Sequence, residues 1–145
     1  MTLAPRELII AYATFADPYG VGLYASAEAL RQMAALLQTG EPADMALAAP
    51  PDDLVEAGAV RTFQFLPEDD GPIDIRTDRR DVQIVGGATA RSILAATLEN
   101  LADEPSLDSP VAIHADVEYF PDHPFLSENS MWMTVILLPA ASGRG

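Results

Sequence analysis

The stretch IDIRTDRRDVQIVGGATARSILAATLENLA, Ile73 to Ala102, decides the fold class. Ile73 and Ile75 alternate with Asp74 and Arg76, Val82 and Ile84 alternate with Asp81 and Gln83, and Asp78 to Arg80 supply turn residues between the two runs. Period-two alternation on both sides of a short polar turn predicts a β-hairpin. After Gly86 and Gly87 the period changes. Ile93, Leu94, Leu98 and Leu101 fall on one stripe of a helix from about Thr89 to Ala102, with Pro105 as its stop. A hairpin connection is too short for a parallel crossover, so the expected architecture is α+β: a mainly antiparallel sheet with two helices packed on one face.

Working outward, Glu7 to Phe15 reads as a strand with apolar residues on both faces, followed by a loop through Asp17, Pro18, Gly20 and Gly22. Ser26 fits an N-cap with Glu28 in the first turn of a helix that runs to about Gln38. Leu30, Met33, Leu36 and Leu37 form its core stripe and Gly40 its stop. Glu41 to Gly58 carries Pro42, Pro50 and Pro51 and reads as a connector, with room for a short helix near Leu54. Ala59 to Leu66, Val111 to Phe120 and Met131 to Leu138 read as further strands. Strand, helix and strand recur in both halves, a weak pseudo-repeat of residues 1–70 and 71–139 inside one domain spanning 1–145.

The chain has 145 residues, enough to bury roughly 68 to 70% of its unfolded surface in a single core. Hydrophobic residues make up 49% and charged residues 21%, an ordinary globular balance. There is no cysteine, which excludes disulfides, thiolate metal sites and cysteine nucleophiles. Neither a signal-peptide h-region nor an apolar run of membrane-spanning length stands out, so the expected location is cytoplasmic. Net charge is −14, from 22 acidic and 8 basic residues, and every basic residue is arginine. Such a field repels nucleic acid and anionic membranes and draws in cationic partners, although acidity also serves plain solubility.

The densest polar pattern is His114, Asp116, Glu118, Asp122 and His123, on a strand and the loop after it. Period two places His114, Asp116 and Glu118 on one face. A solvated sheet face explains that alternation by itself; a small metal-dependent or acid–base enzyme using His114, Asp116 and His123 is the alternative. A metal site would need the three strand residues to converge, yet they span about 13 Å along the strand. Gly86-Gly87 lacks dinucleotide-fingerprint spacing, the absence of lysine rules out a phosphate loop, and no serine sits in a nucleophile elbow. No catalytic residue, metal set or cofactor is therefore expected. Arg76, Arg79 and Arg80 are neutralised locally by Asp74, Asp78 and Asp81. Trp132, in an apolar strand, points either to a central buried strand or to a homodimer through an apolar sheet face, as in a structural or regulatory subunit.

From about Asp81 onward four features follow in order: Val82-Gln-Ile84, the helix ending Leu98-Glu-Asn-Leu101-Ala, His114-Ala-Asp116, and Leu126-x-x-x-Ser130 before the final apolar strand. In these, over roughly the last 60 residues, the chain resembles small immunity proteins of bacterial polymorphic toxin systems, in particular the family catalogued as immunity protein 32. It implies neutralisation of a cognate toxin by direct binding. Physical reasoning then selects the contact surface: Asp116 and Glu118 for a basic protein partner, Tyr119 and Phe120 as aromatic anchors, and Glu68, Asp69 and Asp70 as a second acidic contact.

Overall fold

A computed structural model describes residues 11–16, 20–49, 58–103 and 113–138. Its elements are β1 (Ala11–Ala16), β2 (Gly20–Ala25), α1 (Ala27–Gln38), β3 (Ala43–Ala46), β4 (Ala59–Val60), β5 (Thr62–Pro67), β6 (Asp74–Asp78), β7 (Asp81–Gly86), α2 (Ala88–Ala102), β8 (Ile113–Val117) and β9 (Trp132–Leu137). The fold is α+β with mainly antiparallel pairing. The strands are shared between two sheets, of order β4-β1-β2-β9-β8 and β3-β5-β7-β6.

Each sheet combines the two halves of the chain. In the first, the β1–β2 hairpin accepts β9 as a parallel neighbour of β2, and β8 pairs antiparallel with β9. In the second, the β6–β7 hairpin accepts β5 as a parallel neighbour of β7, and β3 pairs antiparallel with β5. Hairpin, helix and two-stranded ribbon thus occur twice, and each ribbon completes the other half's hairpin. The offset is regular: Ala25, Ser26 and Ala27 run from strand through cap to helix as Gly86, Gly87 and Ala88 do. The parallel pair β2–β9 is joined through the whole of the second sheet, whereas the connection from β5 to β7 stays in its own sheet by way of β6; the chain crosses between the sheets through α1, α2 and the segments on either side of β4.

Two strands lie where the sequence reads as loop or connector. Gly20 and Gly22 sit inside β2, although glycine weakens a strand and marks a close approach. At Gly20 the reason is visible: a Cβ there would run into the Trp132 indole, which lies over the glycine from the neighbouring strand. β3 falls in the Pro-bordered connector and owes its place to pairing with β5 rather than to its own Ala-Asp-Met-Ala sequence. The short helix near Leu54, the strand residues before Ala11 and the stop at Pro105 lie outside the described residues.

α1 starts at Ser26, whose hydroxyl accepts the Ala29 N–H at 3.2 Å, and ends at Thr39 with Gly40 beyond it at φ 77°. Leu30, Met33 and Leu37 are fully buried, as are Leu94 and Leu98 on α2. The helices run antiparallel, each capped by an arginine from the other. Arg91, near the start of α2, is buried and donates to the Leu37 carbonyl at 2.7 Å and to the Gly86 carbonyl at 3.0 Å. Arg31 of α1 reaches the Ala102 carbonyl and Asp103 at the end of α2. Neither helix has a basic residue in its own last turn, so its negative end is met from outside. One apolar cluster includes the inner residues of both sheets (Val21, Leu23, Met133, Val135; Phe63, Phe65, Val82, Ile84) and of both helices.

Candidate functional site

β8 alternates as its sequence requires. Ala115 and Val117 face the core while His114 and Asp116 stand exposed, opposite Ile136 and Thr134 of β9. Thr134 donates its hydroxyl to Asp116 Oδ1 at 2.9 Å, and His114 Nε2 lies 3.9 Å from Asp116 Oδ2. Both side chains are more than half exposed, so their contact contributes little to stability. Glu118 continues the exposed run just past the strand.

The chain then turns. The His123 N–H bonds the Phe120 carbonyl at 3.0 Å around Pro121 and Asp122, with Asp122 at φ 67°, the arrangement of a type II turn. This turn lifts Tyr119 and Phe120 to the surface at 38% and 54% exposure; they are the exposed large hydrophobics among the described residues. Both rest on His123, which lies 4.6 Å from the Phe120 ring, 6.4 Å from Tyr119 and 4.6 Å edge-on from the buried Phe125.

His123 is a structural acceptor. Its Nδ1 receives the Phe125 and Leu126 N–H groups at 3.2 and 3.0 Å, which places the ring proton on Nε2. Burial pushes its pKa below the ordinary value of 6.5. The neutral ring therefore stabilises the fold fully above about pH 6.5, and that contribution is lost as pH falls through the lower folded value. Denaturation between pH 7.5 and 5 is expected to show wild type losing stability relative to a His123→Gln variant as the pH falls. A constant difference between the two proteins would mean that His123 does not titrate across this range.

The second acidic patch lies on a different loop but the same structural junction. Gly87 opens α2 without a side-chain cap, and a Cβ on it would come within 2.5 Å of the Asp70 backbone, so the Glu68–Gly71 loop packs against the start of the helix. Gly87 N–H bonds the Gly71 carbonyl at 3.0 Å and Asp70 Oδ1 accepts the Gly71 N–H at 2.8 Å. Acidic residues there favour the positive end of α2, a structural role beside any contact role. Two residues beyond Gly71, Ile73 donates to the Phe125 carbonyl and accepts from Ser127, both at 2.7 Å. That exchange ties the loop to the base of the Tyr119–Phe120–His123 cluster.

Of the residues of the enzyme alternative, His114 and Asp116 meet on the strand face, whereas His123 Nδ1 is occupied by backbone; among the described residues no group of three or more acidic and histidine side chains could hold a metal. Ser130 also has a framework role. Its hydroxyl accepts the Ile75 N–H at 2.9 Å and donates to the Met131 carbonyl at 2.8 Å, so this part of the 125–131 segment covers the edge of β6. A groove of about 480 Å³ between α1 and β3 is lined by Leu36, Met45, Leu47 and alanines, with Asp44 as its one ionisable group, too few for acid–base work. Arg76 is held by Asp74 at 2.7 Å, and Arg61 by Asp81 at 3.0 Å; Arg61 and the Thr62 hydroxyl keep the Asp81 carboxyl below the usual carboxylate range. Among the described residues no helix is long and apolar enough to cross a membrane. Comparison with protein-family models, curated proteins and solved structures returns no match for the chain.

Proposed function

We propose that the chain is a non-catalytic acidic binding protein of the cytoplasm that neutralises or regulates a basic protein by direct contact, as an immunity protein does its toxin. The observation that carries this reading is the exposure of Asp116, Glu118, Tyr119 and Phe120 around the buried Val117. Two carboxylates are followed there by two aromatic anchors within five positions, on a framework fixed by the 120–123 turn and by His123. Exposed carboxylates accelerate encounter with a cationic surface, and aromatic side chains at the centre of such a patch supply the short-range energy. Glu68, Asp69 and Asp70, tied to the base of the same cluster through Ile73, extend the acidic rim. The neutralisation role rests on the sequence resemblance; the binding role rests on this surface.

Capture from a lysate of the native cell tests the binding role. At roughly 0.05 M salt the protein is expected to retain a basic polypeptide that is released near 0.5 M. Reversing Asp116→Lys and Glu118→Lys together is expected to slow association about tenfold or more while leaving the thermal midpoint unchanged. Undiminished retention by the double variant would remove this surface from consideration.

A further inference from the structure

A strand at the border of a sheet is a template for another chain unless it is short, covered or otherwise blunted. The two sheets have four such borders: β4 and β8 in the first, β3 and β6 in the second. β4 has only two residues. β6 is covered, since both main-chain groups of Ile75 are taken by Ser130 and Met131. β3 is four residues long, and the chain leaving it is tied to β1 by the Ala48 N–H, which donates to the Ala11 carbonyl at 2.8 Å. β8 is different. Its five residues include neither proline nor lysine, and its one strand neighbour is β9.

The ladder identifies the main-chain groups on that border. Leu138 donates its N–H to the Ala25 carbonyl, so the alternate residues Leu138, Ile136 and Thr134 direct their main-chain groups to β2. Met133, Val135 and Leu137 therefore bond β8, through Val117, Ala115 and Ile113. The Thr134–Asp116 side-chain bond agrees, because side chains lie closest across the pairs that the backbone leaves unbonded. His114 and Asp116 are left with N–H and C=O directed away from the sheet, and among the described residues nothing bonds those groups. The same two residues carry exposed side chains on one face, and exposed Glu118 follows them.

We propose that the border of β8 takes up an extended cationic segment of the partner protein as a sixth strand of the first sheet, with arginine or lysine at alternate positions beside Asp116 and Glu118. Main-chain bonds to His114 and Asp116 hold the segment, and the carboxylates select it. The side chains between its basic residues fall on the side of Ala115 and Val117, at the margin of the core, and are apolar. Charge complementarity favours this occupant over a second copy, since each copy carries a net charge of −14 and paired β8 strands would bring their acidic residues together. This inference rests on the binding role proposed above and adds the way in which the partner is held.

A blocked heptapeptide alternating arginine and valine would be titrated against the full chain at roughly 0.15 M salt, with amide exchange followed by NMR. The His114 and Asp116 amides are expected to slow about tenfold or more in the presence of the peptide, while Ala115, already bonded to β9, changes little. N-methylation of alternate peptide residues is expected to weaken binding about tenfold in one frame and hardly in the other, because only one set of amides meets β8. His114→Pro is expected to weaken the peptide about tenfold with the thermal midpoint retained, since that N–H lies outside the β9 ladder and a border strand tolerates proline there. Binding that is lost in the Asp116→Lys, Glu118→Lys variant, yet ignores both methylation frames and His114→Pro, overturns strand addition and keeps the acidic surface. No binding by any peptide overturns strand addition, and the lysate capture then decides the acidic surface alone. A sedimenting dimer that His114→Pro dissociates makes the occupant a second copy and overturns the cationic assignment.

Discussion

Replacing Arg91 with alanine is expected to lower the unfolding free energy by about 3 kcal/mol, read as a shift of the urea midpoint at constant slope. Arg91 is buried, and its guanidinium joins the last turn of α1 to the strand that precedes α2 through the Leu37 and Gly86 carbonyls. Truncation would leave both acceptors without this donor inside the molecule and would remove the cation facing the negative end of α1. Arg91→Lys is expected to recover less than half of the loss, since a single ammonium lacks the fork that reaches two carbonyls at once. A loss below about 1 kcal/mol for the alanine variant would show that water replaces the guanidinium at little cost.

Phe65→Ala is expected to cost about 3 to 5 kcal/mol, the usual range for removing a fully buried phenylalanine. Phe65 is 1% exposed and lies opposite Ala43 of β3 on one side and Ile84 of β7 on the other. It therefore sits where the first half's ribbon joins the second half's hairpin. Trp132 lies in the other sheet. Because the sheets share strands from both halves and one apolar cluster, tryptophan emission and helical circular dichroism should lose their folded signal together in this variant. A Trp132 transition left at its wild-type midpoint would show that the two sheets unfold separately.

Local signals in the sequence predicted local structure well. Ser26, the Leu30–Met33–Leu37 stripe and Gly40 define α1, and the alternation around Asp78–Arg80 defines the β6–β7 hairpin. The division into two sheets could not be read, because it depends on β2 with β9 and β5 with β7, pairings set by long-range packing rather than by any short pattern. Gly20 and Gly22 have loop composition, and only the Trp132 ring above Gly20 explains a strand there. The exposed acids Asp116 and Glu118 were legible from alternation, whereas Tyr119, which the same alternation places with Ala115 and Val117, is exposed because β8 ends at Val117 and the 120–123 turn follows. His123 as the acceptor beneath those aromatics was not, since a histidine in a turn carries no mark of its bonding.

The parallel pair of β2 with β9 also governs how the molecule can be made. A polypeptide emerges from the ribosome in order, so the hairpin of the first half is exposed long before the strand that completes its sheet has been synthesised. The first ribbon likewise waits for β7. A nascent chain of this design holds open β-edges and unburied leucine and phenylalanine through most of its synthesis, and its non-local pairings close slowly afterwards. An abundance of carboxylates and the absence of lysine then act before the native state exists, since mutual repulsion keeps unfinished chains apart while they wait for their last strand.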